Sequence, residues 1–312
     1  MDITFLTDRQ IWGDDRGNGQ LQVMKSYGTK VGMSDLAIVL GAPVSTSNKT
    51  SDNQRSGCVW SASSNGDDFV RCVRGDGDRD YYCPDERLVA ARPALPSSVA
   101  SSIKPSEARL TQKISGVDIV EYGEYPQTIA DETVTRELKG LSEAQLKKME
   151  TGKTYTFDGE KRDAYDKPFS AKEHAEYQHK GKRYIRVEAK PYGGDNSVLS
   201  NGKKPQAGEA CWIEVQPIEW LKDPSGIMVA RQALFAGVQF DRKKKYDGNF
   251  ANTDMKQYLQ NYFAQEMVAG KNVSESQEAQ PPELNGWTTR VETNLGGGQS
   301  YVPGQESGWK RG

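Results

Sequence analysis

Between Gly57 and Leu95 the chain gathers side chains that make directional contacts: Ser61, Ser63, Asn65, Asp67, Asp68, Arg71, Arg74, Asp78, Arg79, Asp80, Tyr82 and Arg87. Arginine and aspartate supply charged donors and acceptors, serine and asparagine adaptable ones. Tyrosine adds a rigid amphipathic ring with little rotamer entropy to lose. This mixture suits recognition rather than bond-making, because no base stands beside a nucleophile. These residues are the candidate ligand-binding face, and Trp60, Arg92 and Leu95 are read as its scaffold.

Other chemistries find few ingredients. The only two histidines, His174 and His179, fall in the polar run AKEHAEYQHKGK, which reads as the solvated surface of a helix over Ala171 to His179. Cys58, Cys72, Cys83 and Cys211 lack C-x-x-C spacing and have few histidines to join them, which argues against zinc. Free thiols are expected in a reducing compartment, and a Cys72–Cys83 bridge across the hairpin is a conceivable pairing. Asp76-Gly77-Asp78-Arg79-Asp80 is rich in calcium-type oxygens, but Tyr81 and Arg87 stand where an EF-hand needs Gly and Glu. A calcium site of another geometry through these aspartates stays open. P-loop and dinucleotide fingerprints are absent. The expectation is a non-enzyme, with no catalytic residue, metal ligand or cofactor assigned.

The elements that must position the face are strands joined by tight turns. A small-residue run from Trp60 to Ser64 meets an Asn-Gly-Asp-Asp turn, then the strand-like Phe69 to Arg74. A Gly75-Asp76-Gly77-Asp78 turn leads to a return run with Tyr81 and Tyr82, which is a hairpin signature. Val70, Cys72 and, across the turn, the tyrosine pair can face a core, while Arg71, Arg74, Asp78, Arg79 and Asp80 crowd the other side.

Upstream, Thr7 or Asp8 opens a short helix, Leu21 to Tyr27 marks a second that Gly28 ends, and Ser34 caps a third over Asp35 to Leu40. Downstream, Val117 to Gln127 alternates like a strand. Leu138 to Met149 reads as a helix with a Ser142/Gln145 capping box. Strands are expected at Thr154 to Phe157, Arg183 to Ala189, Ala210 to Trp220 and Ile227 to Phe240, with Trp212, Val215, Ile218 and Trp220 in the core. Asn252 is the expected cap of a last helix striped by Met255, Tyr258, Leu259, Tyr262, Phe263 and Met267.

The chain has 312 residues, 31 of them Gly and 14 Pro, which favours short strands and many turns over long helices. A net charge of −2 gives no electrostatic case for nucleic acid or an anionic membrane. The N-terminus lacks a basic and apolar leader, and no apolar stretch is long enough to span a bilayer. A place in the cytoplasm or on a phage particle is expected.

The order W-S-x-S-S (Trp60 to Ser64), Gly-turned strands, then R-P-A-L (Arg92 to Leu95) resembles the C-terminal half of bacterial C-type-lectin-fold domains. It is similar to the variable proteins of diversity-generating retroelements, and to a Firmicutes domain family ending in W-x-x-S…V-R-P-A-L. Both are similar in turn to the fold of the formylglycine-generating enzyme. The resemblance implies an α+β, C-type-lectin-like fold of small twisted antiparallel sheets with short flanking helices. It also implies that residues between the Trp and the closing Arg vary to change what is bound. The oxidase activity does not carry over, because no cysteine here matches that enzyme's motif.

Tyr122-Gly123-Glu124-Tyr125-Pro126-Gln127 resembles the opening of the same Firmicutes family, and Pro217-Ile218-Glu219-Trp220 its P-I-x-W strand. The opening here follows the closing motif, so the chain is either a permuted single fold or two related modules. The expected division is a lectin-like module over 1–104, a linker over 105–116, a second β-rich module or remaining half over 117–270, and an extended tail over 271–312. The expected function is recognition of a protein or glycan by a diversified surface, with no nucleic-acid or membrane partner. The alternative is a fixed structural or assembly module of a phage or cell surface, and an unrecognised enzyme ranks third.

Overall fold

The computed structural model describes residues 1–268 apart from 67, 105 and 162. The fold is α+β, built mostly from antiparallel strands with short helices around them.

Two long strands, Val117–Ile129 and Ala210–Lys222, form the spine of the largest sheet, pairing from Ile213↔Ile129 to Lys222↔Asp118. Proline removes a ladder donor, and the register slips between Pro217 and Glu219. Trp220, fully buried, donates its indole N–H to Tyr122 O at 2.8 Å and ties the two strands there. Gly123 (φ +67°) sits where a Cβ would stand 2.7 Å from Met267 O. That carbonyl accepts from Glu124 N at 2.7 Å, so the last helical turn docks on bare backbone.

The two halves of the sequence interleave. Ala94–Leu95 pairs with Met228–Ala230 in the large sheet. Val31–Met33 pairs in parallel with Gln232–Ala233 and antiparallel with Arg55–Gly57 in a second, four-stranded sheet. One hydrophobic core runs from Ile3 to Met267. A smaller cluster around Trp212, Tyr177 and Leu138 lies beneath the helices Glu132–Lys139 and Glu143–Lys147.

Several local expectations hold. Thr7 caps Asp8–Trp12 with a capping box, Ser34 caps Asp35–Val39, and Ser142 shares a capping box with Gln145. Trp212, Val215, Ile218 and Trp220 are all buried. Others are corrected. Ala171–His179 is a strand, hydrogen-bonded on both sides, and not a polar helix. Lys180 and Gly181, both at positive φ, turn it directly into Lys182–Glu188, and a two-residue turn of that kind matches strand twist. Residues 109–114, expected within a linker, form the edge strand Arg109–Ile114 against Val117–Ile129. Thr253, rather than Asn252, caps Asp254–Tyr258. The expected tail over 271–312 lies outside the described residues. No helix among the described residues is long and apolar enough to cross a membrane.

Candidate functional site

The candidate face belongs to a three-stranded antiparallel sheet of Val59–Ser64, Val70–Val73 and Arg79–Tyr82. Cross-strand partners are Trp60↔Cys72 on one side of the central strand, and Arg71↔Tyr81 and Cys72↔Asp80 on the other. The inner strand is buried almost throughout, while every residue of the outer strand reaches solvent. The sheet therefore has a fixed floor and an open rim.

The floor is anchored by Trp60, which is 2% exposed and packs on Phe240 at 5.3 Å between ring centroids. Trp60 and Arg92 line a small cavity with Leu6, Ile11, Val59 and Val73. Arg92 donates its Nε to Ala230 O at 2.7 Å, and burial draws its guanidinium pKa down to about 10. Val70 and Cys72 are fully buried, as alternation suggests.

The rim is pinned by its second turn. Gly77 (φ +92°) has no room for a Cβ, which would meet Thr29 Oγ1 at 2.5 Å. Gly77 O accepts from Trp12 Nε1 at 3.1 Å and from Thr29 Oγ1 at 2.9 Å. Arg79 then lies over the Trp12 ring at 5.1 Å, in cation–π geometry. Arg74 bridges Asp76 (3.3 Å) and Asp80 (3.8 Å), so these two aspartates share a guanidinium partner. Among the described residues, no group of three or more His, Cys, Asp or Glu side chains converges as a metal site would require.

The expected face is brought together only in part. Asp68, Arg74, Asp78, Arg79 and Tyr82 are exposed, and Asn65, Arg71 and Asp80 half-buried. Asp67 lies outside the described residues. Ser61 and Ser63 are corrected: both are buried, with Ser61 Oγ donating to Asp8 Oδ1 and Ser63 Oγ accepting from Asp8 N, each at 2.9 Å. Their hydroxyls serve the start of the helix Asp8–Trp12, which lies against the inner strand. Arg87 is corrected too. It is fully buried, paired with Asp158, and donates to the carbonyls of Ala164, Lys167 and Gly237, each at 3.2 Å.

The tyrosine pair is the converse correction. Tyr81 and Tyr82 are 47% and 38% exposed, not turned to the core. Tyr81 rests on Phe69 with ring centroids 5.0 Å apart, and partial burial holds the Tyr82 phenol up at about 12. Tyr81 thus joins the face. Cys72 stands against Cys58, with the sulfurs 3.4 Å apart, and not against Cys83.

A second polar cluster lies where the last helical segment meets the strands Glu150–Asp158 and Ala171–His179. Glu266 Oε1 accepts from Thr156 N at 2.8 Å, and burial lifts its carboxyl to about 8. Its Oε2 and the Lys153 ammonium are both buried without a hydrogen-bond partner. Glu176 accepts from Tyr155 Oη at 2.9 Å and from Thr151 Oγ1 at 2.8 Å. His174, expected on a solvated helix, packs on Phe157 at 5.3 Å, and burial lowers its pKa. His179 meets Glu137 at 2.8 Å. Comparison of the chain with family models, with curated proteins and with solved structures found no match.

Proposed function

We propose that this chain is a recognition protein. It presents the rim of the Gly57–Leu95 hairpin on a C-type-lectin-like scaffold, in the manner of the variable proteins of diversity-generating retroelements. The observation that carries this reading is the contrast within one small sheet. Arg79, Tyr81 and Tyr82 reach solvent on the outer strand, above inner strands that are almost wholly buried.

A rigid floor lets exposed residues change without unfolding the domain. Arginine and tyrosine on such a rim are the residue types that dominate binding energy in interfaces. The ligand class is a protein or glycan: the guanidiniums of Arg74 and Arg79 match carboxylates, and the tyrosine rings match apolar or sugar faces. Nucleic acid and membrane are not proposed as partners, and a cytoplasmic or phage-borne location goes with the reading.

The test is a set of sibling chains aligned on the motif from Trp60 to Leu95. Substitutions concentrated at Asn65, Asp68, Arg74, Asp78, Arg79, Tyr81 and Tyr82 support diversification. A rim no more variable than the floor points instead to a fixed assembly module.

A further inference from the structure

Cys58 immediately precedes the inner strand of the hairpin, and Cys72 lies on the central strand opposite Trp60. Their sulfurs are 3.4 Å apart as free thiols. The two differ in access: Cys58 is half-buried, whereas Cys72 is 0% exposed. Paired thiols, one reachable from solvent and one behind it, are the arrangement in which an outer sulfur reacts first and an inner sulfur resolves it.

We propose that Cys58 and Cys72 form a thiol–disulfide exchange site that reacts with small disulfides of the oxidised-glutathione class and closes an intramolecular bridge. The Cys58 thiolate attacks one sulfur of the small disulfide. Its S–S bond breaks, one thiolate leaves, and a mixed disulfide remains on Cys58. Cys72 then gives its proton to water and attacks the Cys58 sulfur, releasing the second thiolate. Two electrons pass from the protein thiols to the small disulfide, and the two protons end on the two small thiols.

The surroundings favour this order. The hydrogen bond with Cys58 and then burial push the Cys72 thiol far above its ordinary range, with Asp80 and Asp8 adding to the rise. Reduced Cys72 is therefore a protonated partner and a poor first nucleophile. Once Cys58 is engaged in the mixed disulfide, the first of those causes is gone, and Cys72 already stands within reach of the Cys58 sulfur. The remaining thiols stand apart in character, Cys83 being exposed and Cys211 buried. Bridge closure would staple the inner strand to the central one, across the turn that carries Asn65 and Asp68. The proposal is independent of what the rim binds.

The experiment uses the full chain, wild type and Cys83→Ser, incubated with oxidised glutathione and then alkylated under denaturing conditions for peptide mapping. Expected are protection of two of the four thiols, a mass lower by two hydrogens, and a cross-linked peptide joining positions 58 and 72. Cys72→Ser should stop at a stable glutathione adduct on Cys58. Alkylation of both Cys58 and Cys72 after exposure, or an oxidised product confined to Cys83, would overturn the proposal. The wild-type map decides the matter even if Cys72→Ser folds poorly.

Discussion

Two three-stranded antiparallel meanders in this chain draw on the same residue types and put them to opposite uses. In the hairpin sheet, Tyr81 and Tyr82 face solvent and Arg74 is half exposed. On the far flank of the large sheet, Glu150–Asp158, Ala171–His179 and Lys182–Glu188 bury Tyr155, Tyr177 and Tyr184, together with Glu176. The difference is what lies on top. The flank is covered on one side by the docked segment from Asp254 to Met267 and on the other by the pair of helices that begins at Glu132. Nothing among the described residues pairs with the outer edge of Arg79–Tyr82. An uncovered charged edge is how a sheet resists edge-to-edge aggregation, and it also leaves a surface open to a ligand. The covered flank therefore holds buried carboxylates such as Glu266 and Glu176, and the open rim holds the exposed arginines and tyrosines.

Floor and rim should respond very differently to truncation. Trp60→Ala should cost about 3–5 kcal/mol, because a large buried ring leaves a cavity that the core cannot fill. Thermal or denaturant melts would check this, and a change under about 1 kcal/mol would contradict its place in the core. Arg87→Ala should cost a similar amount, about 3–5 kcal/mol, since it leaves the Asp158 carboxylate buried and unpaired. Arg79→Ala, eight positions earlier, should stay near 0.5 kcal/mol, the ordinary scale for exposed positions. Equal losses at the two arginines would erase the distinction between them.

A pH dependence should also appear under the cover. The Glu266 carboxyl titrates at about 8 in the fold against 4.5 unperturbed. The folded state therefore holds an extra proton between those values, and stability falls as pH rises from about 4.5 to about 8. Above that window the loss is complete and flat. Glu266→Gln should remove this slope in melts taken across the range, whereas an unchanged slope would assign it to other groups.

The sequence makes local rules visible and distant partners invisible. Gly/Asp turns announced the hairpin, and Thr7, Ser34 and Ser142 announced their helices, because each signal lies within four residues of its effect. Arg87 looked like a surface arginine because its carboxylate partner is 71 residues away. Ser61 and Ser63 looked like rim residues because period-two alternation says nothing about a helix laid against the strand. Ala171–His179 has no apolar alternation in its first half, and the turn at Lys180-Gly181 that makes it a strand shows only in the fold. The rim itself was largely legible, since Asn65, Asp68, Arg74, Asp78, Arg79, Asp80 and Tyr82 all reach the surface.

The most direct measurement replaces the rim and leaves the floor intact. A combined Arg74→Ala, Arg79→Ala, Tyr82→Ala variant would be compared with the parent by circular dichroism, melting, and binding to arrayed glycans and bacterial surface proteins. The recognition account predicts a melt within about 1–2 kcal/mol of the parent, as the sum of three surface changes at about 0.5 kcal/mol each. It also predicts loss of the signals that the parent gives on the arrays, by about tenfold or more, since each 1.4 kcal/mol of lost contact is a factor of ten. A variant that melts far earlier, or that keeps the parent's binding at full strength, would contradict it.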